Sequence, residues 1–282
     1  MNQRITIEKE QAAPGPLRLL LEYARLTLTE VALGIHPHLA REWLSDDKET
    51  AASLVKLYPE SIAIKCIKLL GDNYPSIIAG EKTALAILLE DGKLNEIYLH
   101  GLGFQAVNGI LSEFVEKLTL RSPRLSILEI GAGTGSTTES IINRSSYSRY
   151  VFTDISSAFL GAAKDKFKLH SHRMDFKTYD MEKDPEEQGY ELQSFEMIIA
   201  SNVIHASADV LAVLRRLRSL LRPGGYLVCV ELAVGAYLHN TFVMGGLTGW
   251  WLGHGKDRHW NPALSEQQWL SLIHISEPTR PY

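Results

Sequence analysis

Residues 125–135, which read LSILEIGAGTG, decide the fold of this chain. An apolar strand, Leu125–Ile130, runs directly into Gly131, Gly133 and Gly135, and a helical segment follows. Glycines at such a turn let the backbone bend sharply, and a ligand can approach them without meeting a Cβ atom. The stretch therefore predicts a strand, a ligand-binding loop and a helix, in that order.

Short apolar segments alternate with helical ones after Pro123. One helical segment, Asp209–Leu221, stops at RPGG in residues 222–225, which cannot continue a helix. Alternation of this kind predicts an α/β domain with a parallel, doubly wound, Rossmann-like sheet that binds its ligand at the carboxyl ends of the strands. The predicted strands are Leu125–Ile130, Tyr150–Thr153, Asp175–Tyr179, Met197–Ser201 and Tyr226–Leu232.

The chain before Pro123 has helical rather than strand periodicity. Apolar residues recur at helical spacing in residues 16–23, 61–70 and 108–118, with glycine-containing loops between such segments. We therefore predict a mostly helical N-terminal cap over residues 1–120 and a ligand-binding domain over residues 121–270.

Composition excludes several classes of protein. The 282-residue chain is 45% hydrophobic and carries a net charge of −4, so it lacks the basic excess of a nucleic-acid platform. Its first residues lack the apolar run of a signal peptide, and no segment approaches the roughly 20 apolar residues of a membrane span. We expect a cytosolic protein that binds neither nucleic acid nor membrane.

Cysteine and histidine patterns do not predict a metal site or a disulfide framework. Cys66 and Cys229 lie far apart in apolar surroundings and are expected to be buried thiols. Several histidines and one aspartate recur at short intervals, but their spacing does not match a zinc pattern, and we expect no metal. These residues are His36, His38, His170, His172, His254, Asp257 and His259.

The glycine-rich loop fits a cofactor that has no phosphate. A dinucleotide fingerprint needs its third glycine one residue later, where Ser136 stands, and no Gly-Lys-Ser/Thr of a P-loop follows. S-adenosylmethionine carries a sulfonium and an ammonium, which suit the acidic Glu129 just before the loop. We therefore predict that S-adenosylmethionine binds at Glu129, Gly131, Gly133 and Gly135.

Acidic residues also end the second and third strands. Asp154 lies about 20 residues beyond the loop, where a carboxylate accepts hydrogen bonds from ribose hydroxyls. Asp180 is expected to bind the adenine amino group, with Met181 against the ring. The alternatives are a helix cap or turn residue for Asp154 and a solvated carboxylate for Asp180.

Five segments of the chain form a recognisable set of motifs: LEIGAGTGSTT (128–138), FTDISSAFL (152–160), IIASNVIHAS (198–207), LLRPGGYLVCVE (220–231) and GLTGWWLG (246–253). Together they resemble the C-methyltransferase domain of polyketide synthases, over about residues 98–270. The loop motif alone is typical of any class I methyltransferase, whereas the histidine-containing motif and the double tryptophan are much more specific.

The resemblance implies α-methylation of a β-ketoacyl thioester held on an acyl carrier protein, with neighbouring megasynthase domains as further partners. It assigns a catalytic dyad to His205 and Glu231, and it places Asn202 of the same motif at the cofactor. A histidine suits removal of the α-proton, and a carboxylate on its other nitrogen would fix the tautomer. His205 as a capping or packing histidine is the alternative.

Three other assignments stay open at this point. Trp250 and Trp251 are expected either to line the acyl pocket or sulfonium site, or to be ordinary core aromatics. Tyr98 and Asn108 match only loosely a cap motif that faces the substrate. The competing functions are a free-standing O- or N-methyltransferase, which would not require the His205–Glu231 pair, and a non-catalytic spacer domain, against which the intact pair counts.

The resemblance also predicts the strand order and the end of the sheet. We expect five strands in the order 3-2-1-4-5, with the C-terminal hairpin of the family missing and the fifth strand left as an edge. Residues 271–282, which read SLIHISEPTRPY, are predicted to be a non-native tail without fold information. A disordered natural terminus is the alternative.

Overall fold

The computed structural model describes residues 7–101, 103–233, 238–256, 258 and 260–276. These residues form two compact units. The first unit contains residues 7–101, 238–252 and 260–261. The second contains residues 103–233, 253–256, 258 and 262–276.

The first unit is helical, as the sequence pattern predicts for the N-terminal part. A core of aliphatic and aromatic side chains includes Leu20, Leu70, Tyr74, Ile87 and Leu88, each at most 2% exposed. The helices are α1 (Ile7–Ala12), α2 (Gly15–Leu33), α3 (Lys48–Leu57), α4 (Ile62–Ile78), α5 (Ala84–Leu89), α6 (Lys93–His100) and α11 (Leu238–Met244).

Helix α11 follows the sheet in sequence but belongs to the first unit. The Tyr74 hydroxyl on α4 donates to the carbonyl of Phe242 at 2.7 Å, and the two rings meet edge to face. Such a pairing across more than 160 residues leaves no local signal, so the sequence analysis missed this return of the chain.

The second unit is built on a five-stranded parallel sheet, and the predicted order β3-β2-β1-β4-β5 is confirmed. Its central strand β1 pairs with β2 from Ser126 opposite Arg149, and with β4 from Ile127 opposite Met197. The strands are β1 (Ser126–Ile130), β2 (Arg149–Asp154), β3 (Met174–Thr178), β4 (Phe195–Ser201) and β5 (Leu221–Val230).

Helices pack on both faces of this sheet because alternate strand residues point to opposite sides. Leu128 and Ile130 of β1 join one hydrophobic cluster, and Ile127 joins the other. The helices are α7 (Phe104–Arg121), α8 (Ser136–Ile142), α9 (Ser157–Lys166), α10 (Val210–Leu220) and α12 (Glu266–Ser276).

Helix α10 shows how sequence dictates this packing. The Asp209 carboxylate caps its first turn by accepting a hydrogen bond from the amide of Ala212 at 2.9 Å. Its buried residues recur at helical spacing and face the sheet, whereas its three arginines all lie at other positions. These buried residues are Val210, Val213, Leu214, Leu217 and Leu220.

The boundary between the units differs from the predicted one near residue 120. Helix α7, which the sequence analysis placed in the cap, lies in the sheet unit. Its Leu111 and Val115 are in the same hydrophobic cluster as Ile127 of β1 and Ile141 of α8. Helical periodicity reports that α7 is amphipathic but not which apolar partner covers it.

Two further differences concern the end of the chain. Strand β5 begins at Leu221 rather than Tyr226, because Leu221 pairs with Phe195 and a register shift carries residues 222–225 past β4. Residues 271–276, predicted to be tail, continue α12: Leu272 and Ile273 pack on the core, and the carbonyl of Ser276 accepts a hydrogen bond from Arg218 at 2.9 Å. Residues 277–282 lie outside the described residues.

Strand β5 is an edge of the sheet within the described part of the chain, where β4 is its only partner. In the same residues, no helix combines the length and apolar character needed to cross a membrane.

Candidate active site

The site residues predicted from sequence all belong to the second unit, at or beyond the carboxyl ends of its strands. The glycine-rich loop joins β1 to α8, and Gly131, Gly133 and Gly135 have φ angles of +59°, +53° and +75°. Residues with a side chain adopt such angles at a cost in free energy, so the path of the backbone requires glycine at each of these positions.

The three glycines differ in what a side chain would meet. A Cβ atom on Gly131 would overlap the side chain of Val203, and one on Gly135 would lie 2.8 Å from the ring of Phe167. At Gly133 the nearest atom would be a carbonyl oxygen 3.9 Å away. Gly131 and Gly135 thus serve packing, while Gly133 borders open space that a ligand can enter.

Asp154 connects the loop to the end of β2. Its Oδ2 accepts a hydrogen bond from the amide of Gly133 at 2.9 Å, and its Oδ1 accepts one from Ser156 at 2.9 Å. Burial raises the pKa of this carboxyl, and the hydrogen bonds from Ser156 and Gly133 oppose that shift. Asp154 therefore holds the loop through the Gly133 amide, and each of its carboxylate oxygens has a second lone pair that a ligand can use.

Glu129 lies under the loop and not in it. The side chain is 1% exposed, and its Oε2 accepts hydrogen bonds from the hydroxyls of Thr138 and Tyr150, both at 2.5 Å. Burial raises the pKa of Glu129 to about 7. The structure thus turns this carboxyl into the core, and a contact of Glu129 with the cofactor stays a prediction.

Asp180 and Met181 lie beyond β3, in a turn held by the polar side chains around it. Asp180 accepts a hydrogen bond from the amide of Glu182 at 3.0 Å and forms an ion pair with Lys183 at 3.1 Å. Met181 packs against the core cluster on one face of the sheet. A contact of either residue with adenine stays a prediction.

Asn202 follows β4 with a φ of +54°, a left-handed conformation that asparagine tolerates better than most residues. Its backbone N–H donates a hydrogen bond to the carbonyl of Val230 at the end of β5, at 2.7 Å. The chain then turns into a short 3-10 helix, Ile204–Ala206. The reversal at Asn202 carries His205 back toward the end of β5.

Glu231, directly after β5, holds this turn with both carboxylate oxygens. Its Oε1 accepts hydrogen bonds from the amides of Val203 at 3.1 Å and Ile204 at 2.6 Å. Its Oε2 lies 2.6 Å from Nδ1 of His205. The structure therefore brings together the two side chains predicted to form a dyad, which are 26 residues apart in sequence.

The Glu231 contact determines which nitrogen of His205 carries hydrogen. A carboxylate only accepts hydrogen bonds, so Nδ1 is the donor and the neutral ring keeps its lone pair on Nε2. Both side chains are at most 6% exposed, so the pair is shielded from water. An imidazole in this arrangement can accept a proton at Nε2 and return it later.

Val203 has two functions in this site that the sequence analysis did not single out. Its side chain fills the space that Gly131 leaves open, and its amide is bound by Glu231. A valine between Asn202 and Ile204, just after a strand, carries no chemical signature. Only the close approach of the β1 loop and the β4 turn reveals its role.

The two tryptophans and the metal-ligand candidates were also singled out from the sequence. Trp250 and Trp251 are each 6% exposed in the first unit, where the Trp251 indole donates to the carbonyl of Gly245 at 2.7 Å, so they behave as core aromatics. Among the described residues, no three His, Cys, Asp or Glu side chains are grouped to hold a metal ion. Asp257 and His259 lie outside the described residues.

Comparison with known proteins defines the class. Residues 128–227 match the family described as "Methyltransferase domain". The chain is 46% identical over 273 residues, 97% of its length, to a reducing polyketide synthase of Preussia isomera, of which it covers 12%. It therefore corresponds to a small part of that much longer protein.

Two solved structures share the fold. The CurJ carbon methyltransferase superposes with a TM-score of 0.80 at 26% identity, covering 94% of this chain and 74% of the other. The trans-methyltransferase CalH, crystallised with S-adenosylhomocysteine (SAH), gives a TM-score of 0.77 at 26% identity, covering 95% and 79%.

The strand order, the glycine-rich loop and the family match together define a methyltransferase-type domain. More specifically, the chain belongs to the methyltransferase domains of polyketide synthases, and the family resemblance recognised from its motifs is confirmed.

Proposed function

We propose that this domain methylates the α-carbon of a β-ketoacyl thioester on an acyl carrier protein, using S-adenosylmethionine as the methyl donor. The observation that supports this most strongly is the 2.6 Å contact between Nδ1 of His205 and Oε2 of Glu231. An α-carbon between two carbonyls becomes a nucleophile only when its proton is removed, and His205 is a base built for that step.

The loop residues fit the proposed cofactor. Open space beside Gly133 allows a ligand to approach the backbone. Asp154, which accepts a hydrogen bond from the Gly133 amide, has further lone pairs for ribose hydroxyls. The cofactor supplies an electrophilic methyl group on a sulfonium. This proposal does not depend on a direct contact from Glu129, whose Oε2 already accepts hydrogen bonds from Thr138 and Tyr150.

The reaction balances in two steps. Nε2 of His205 takes the α-proton, and the electron pair of the broken C–H bond is delocalised over the two carbonyls as an enolate. The α-carbon then forms a bond to the methyl carbon while the C–S bond breaks and its electrons return to sulfur, giving SAH. Glu231 stabilises the imidazolium that forms at His205, as the aspartate of a serine-protease triad does.

A panel of acceptors tests this proposal. The purified chain would be incubated with S-adenosylmethionine and, separately, with a β-ketoacyl N-acetylcysteamine thioester, its α,α-dimethyl analogue, a phenol and an amine, followed by mass spectrometry. We expect a gain of one methyl group on the first acceptor alone. Methylation of the phenol or the amine in preference to the thioester would favour an O- or N-methyltransferase instead.

A carrier-protein substrate tests the finer part of the proposal. The same β-ketoacyl group on the phosphopantetheine of an acyl carrier protein should be methylated at a lower KM than the free thioester. Equal KM values for the two forms would remove the carrier protein from the proposal while leaving the chemistry intact.

A further inference from the structure

Arg258 is a charged side chain buried near the dyad that the proposed chemistry does not use. It is 5% exposed, and its guanidinium donates to main-chain carbonyls of the turn that carries His205. Nη1 lies 2.6 Å from the carbonyl of His205 itself, and Nη2 binds the carbonyl of Ser207. A further hydrogen bond joins Nη1 to the carbonyl of Pro262 at 3.3 Å.

The segment before Arg258 is shaped to admit this guanidinium. A Cβ atom on Gly253 would overlap it directly, so the absence of a side chain at that position creates the socket. Gly255, with a φ of +82°, turns the chain, and its amide donates to the carbonyl of Arg258 at 3.2 Å. Two glycines thus place one arginine on the turn, which indicates a built contact rather than an incidental one.

Glu231 and Arg258 hold opposite ends of the same turn. Glu231 accepts from the first amides, Val203 and Ile204, whereas Arg258 donates to the last carbonyls, His205 and Ser207. This matches the polarity of a helical turn, whose free amides lie at its start and whose free carbonyls lie at its end. His205 is therefore fixed through its side chain by one residue and through its backbone by the other.

We propose that Arg258 is a positioning residue for the base His205, which rests on the function proposed above. A planar guanidinium that bridges two carbonyls fixes the backbone from which the imidazole projects, and so fixes the direction of Nε2. Lysine cannot replace it, because an ammonium group is a point charge without the rigid fork. Misplacing a catalytic group by about 1 Å costs up to about a hundredfold in rate.

Three variants of the full chain test the proposal. Arg258→Lys keeps the charge but removes the fork, and Arg258→Ala removes both. Gly253→Ala leaves Arg258 in place chemically, but its added methyl group should push the guanidinium away from the turn. Arg218→Ala is the matched control, because Arg218 also donates to a main-chain carbonyl of the same unit, that of Ser276 in α12.

We expect each of the three variants to lower kcat by about ten- to a hundredfold while KM and SAH affinity change little. Arg218→Ala should retain the wild-type kcat. In ¹⁵N-histidine NMR spectra, His205 should show the Nδ1-protonated tautomer in the wild type and a mixture of tautomers in the three variants. This spectroscopic readout does not depend on turnover.

The outcomes are distinguishable. If Arg258→Lys and Gly253→Ala fold, keep the wild-type kcat and keep the His205 tautomer, Arg258 only packs the turn and the proposal is overturned. If the wild type itself methylates no acceptor, the proposed function fails. The NMR comparison then still decides whether Arg258 positions His205, and an unchanged spectrum in the variants would reject it.

Discussion

Two halves of the same sheet edge treat a buried glutamate in opposite ways. At the end of β1, Glu129 is surrounded by core and bonded to the hydroxyls of Thr138 and Tyr150, and burial raises its pKa to about 7. After β5, Glu231 accepts from two amides and from His205. Both residues are glutamates with buried side chains, so their partners alone distinguish a carboxyl bonded to core hydroxyls from one bonded to the proposed base.

The comparison also separates the proposed cofactor site from the proposed site of proton removal. The β1–β2 half holds the glycine-rich loop and Asp154, whereas the β4–β5 half holds the dyad. Variants in the first half should therefore change cofactor affinity, and variants in the second half should change the rate of the chemical step.

The largest effect is expected for His205→Ala. Loss of the general base should lower kcat by roughly 10²- to 10⁴-fold, with SAH affinity nearly unchanged. Steady-state kinetics on a β-ketoacyl thioester, with calorimetry for SAH, measure both quantities. A variant that retains most of its activity would move proton removal to another group and end the comparison.

The next largest loss of kcat is expected for Glu231→Gln. The side-chain oxygen of the glutamine can still accept hydrogen bonds from the amides of the turn, but its NH₂ group would face Nδ1 of His205 and favour the wrong tautomer. We therefore expect kcat to fall by at least about tenfold, but by less than in His205→Ala. The matched variant is Glu129→Gln, for which kcat should stay within about twofold, since a well-packed amide replaces a carboxyl that touches no reacting atom. Equal losses in the two variants would contradict the division of roles.

Gly133→Val and Asp154→Ala should weaken SAH by at least about tenfold, which corresponds to roughly 1.4 kcal/mol. Valine would fill the open space beside the loop, and alanine would remove the acceptor of the Gly133 amide together with the proposed ribose contact. Calorimetry checks both, with His205→Ala as the control that keeps its affinity. Wild-type affinity in both variants would remove the loop from the cofactor site.

The last effect is on stability rather than on activity or binding, and it concerns Glu129. A carboxyl whose pKa is about 7 in the folded chain and near 4.5 when unfolded binds more protons in the folded state between those values. Its contribution to the free energy of unfolding should therefore be fully present below about pH 4.5 and be lost as the pH rises toward 7.

Glu129→Gln removes this titration. The urea-unfolding free energy of the variant, relative to the wild type, should increase between pH 5 and pH 8. A pH-independent difference between the two proteins would show that Glu129 does not titrate in the folded state in this range.

The sheet could be predicted from sequence because most of its strands are short apolar runs that alternate with helices. The five strands and their order follow from that pattern and the family motifs, and Asp209 marks the start of α10. The family resemblance pointed to the dyad, and the strand order is consistent with it because His205 and Glu231 each follow a strand that ends at the same edge.

Contacts between distant segments could not be predicted. Nothing near α11 indicates that Phe242 meets Tyr74, and nothing near Arg258 indicates that it binds the turn of His205. The orientation of Glu129 was also inaccessible in practice. The side chain of Glu129 could point toward the loop or into the core, and its orientation depends on the Thr138 and Tyr150 hydroxyls, which come from other elements.

The most direct test of the central claim is hydrogen exchange at the α-carbon of a β-ketoacyl thioester in D₂O, with SAH bound so that no methyl group can be transferred. The wild-type chain should exchange the α-proton well above the buffer rate, and His205→Ala should exchange it at the buffer rate. Equal enzyme-catalysed exchange by the two proteins would contradict the assignment of His205 as the base.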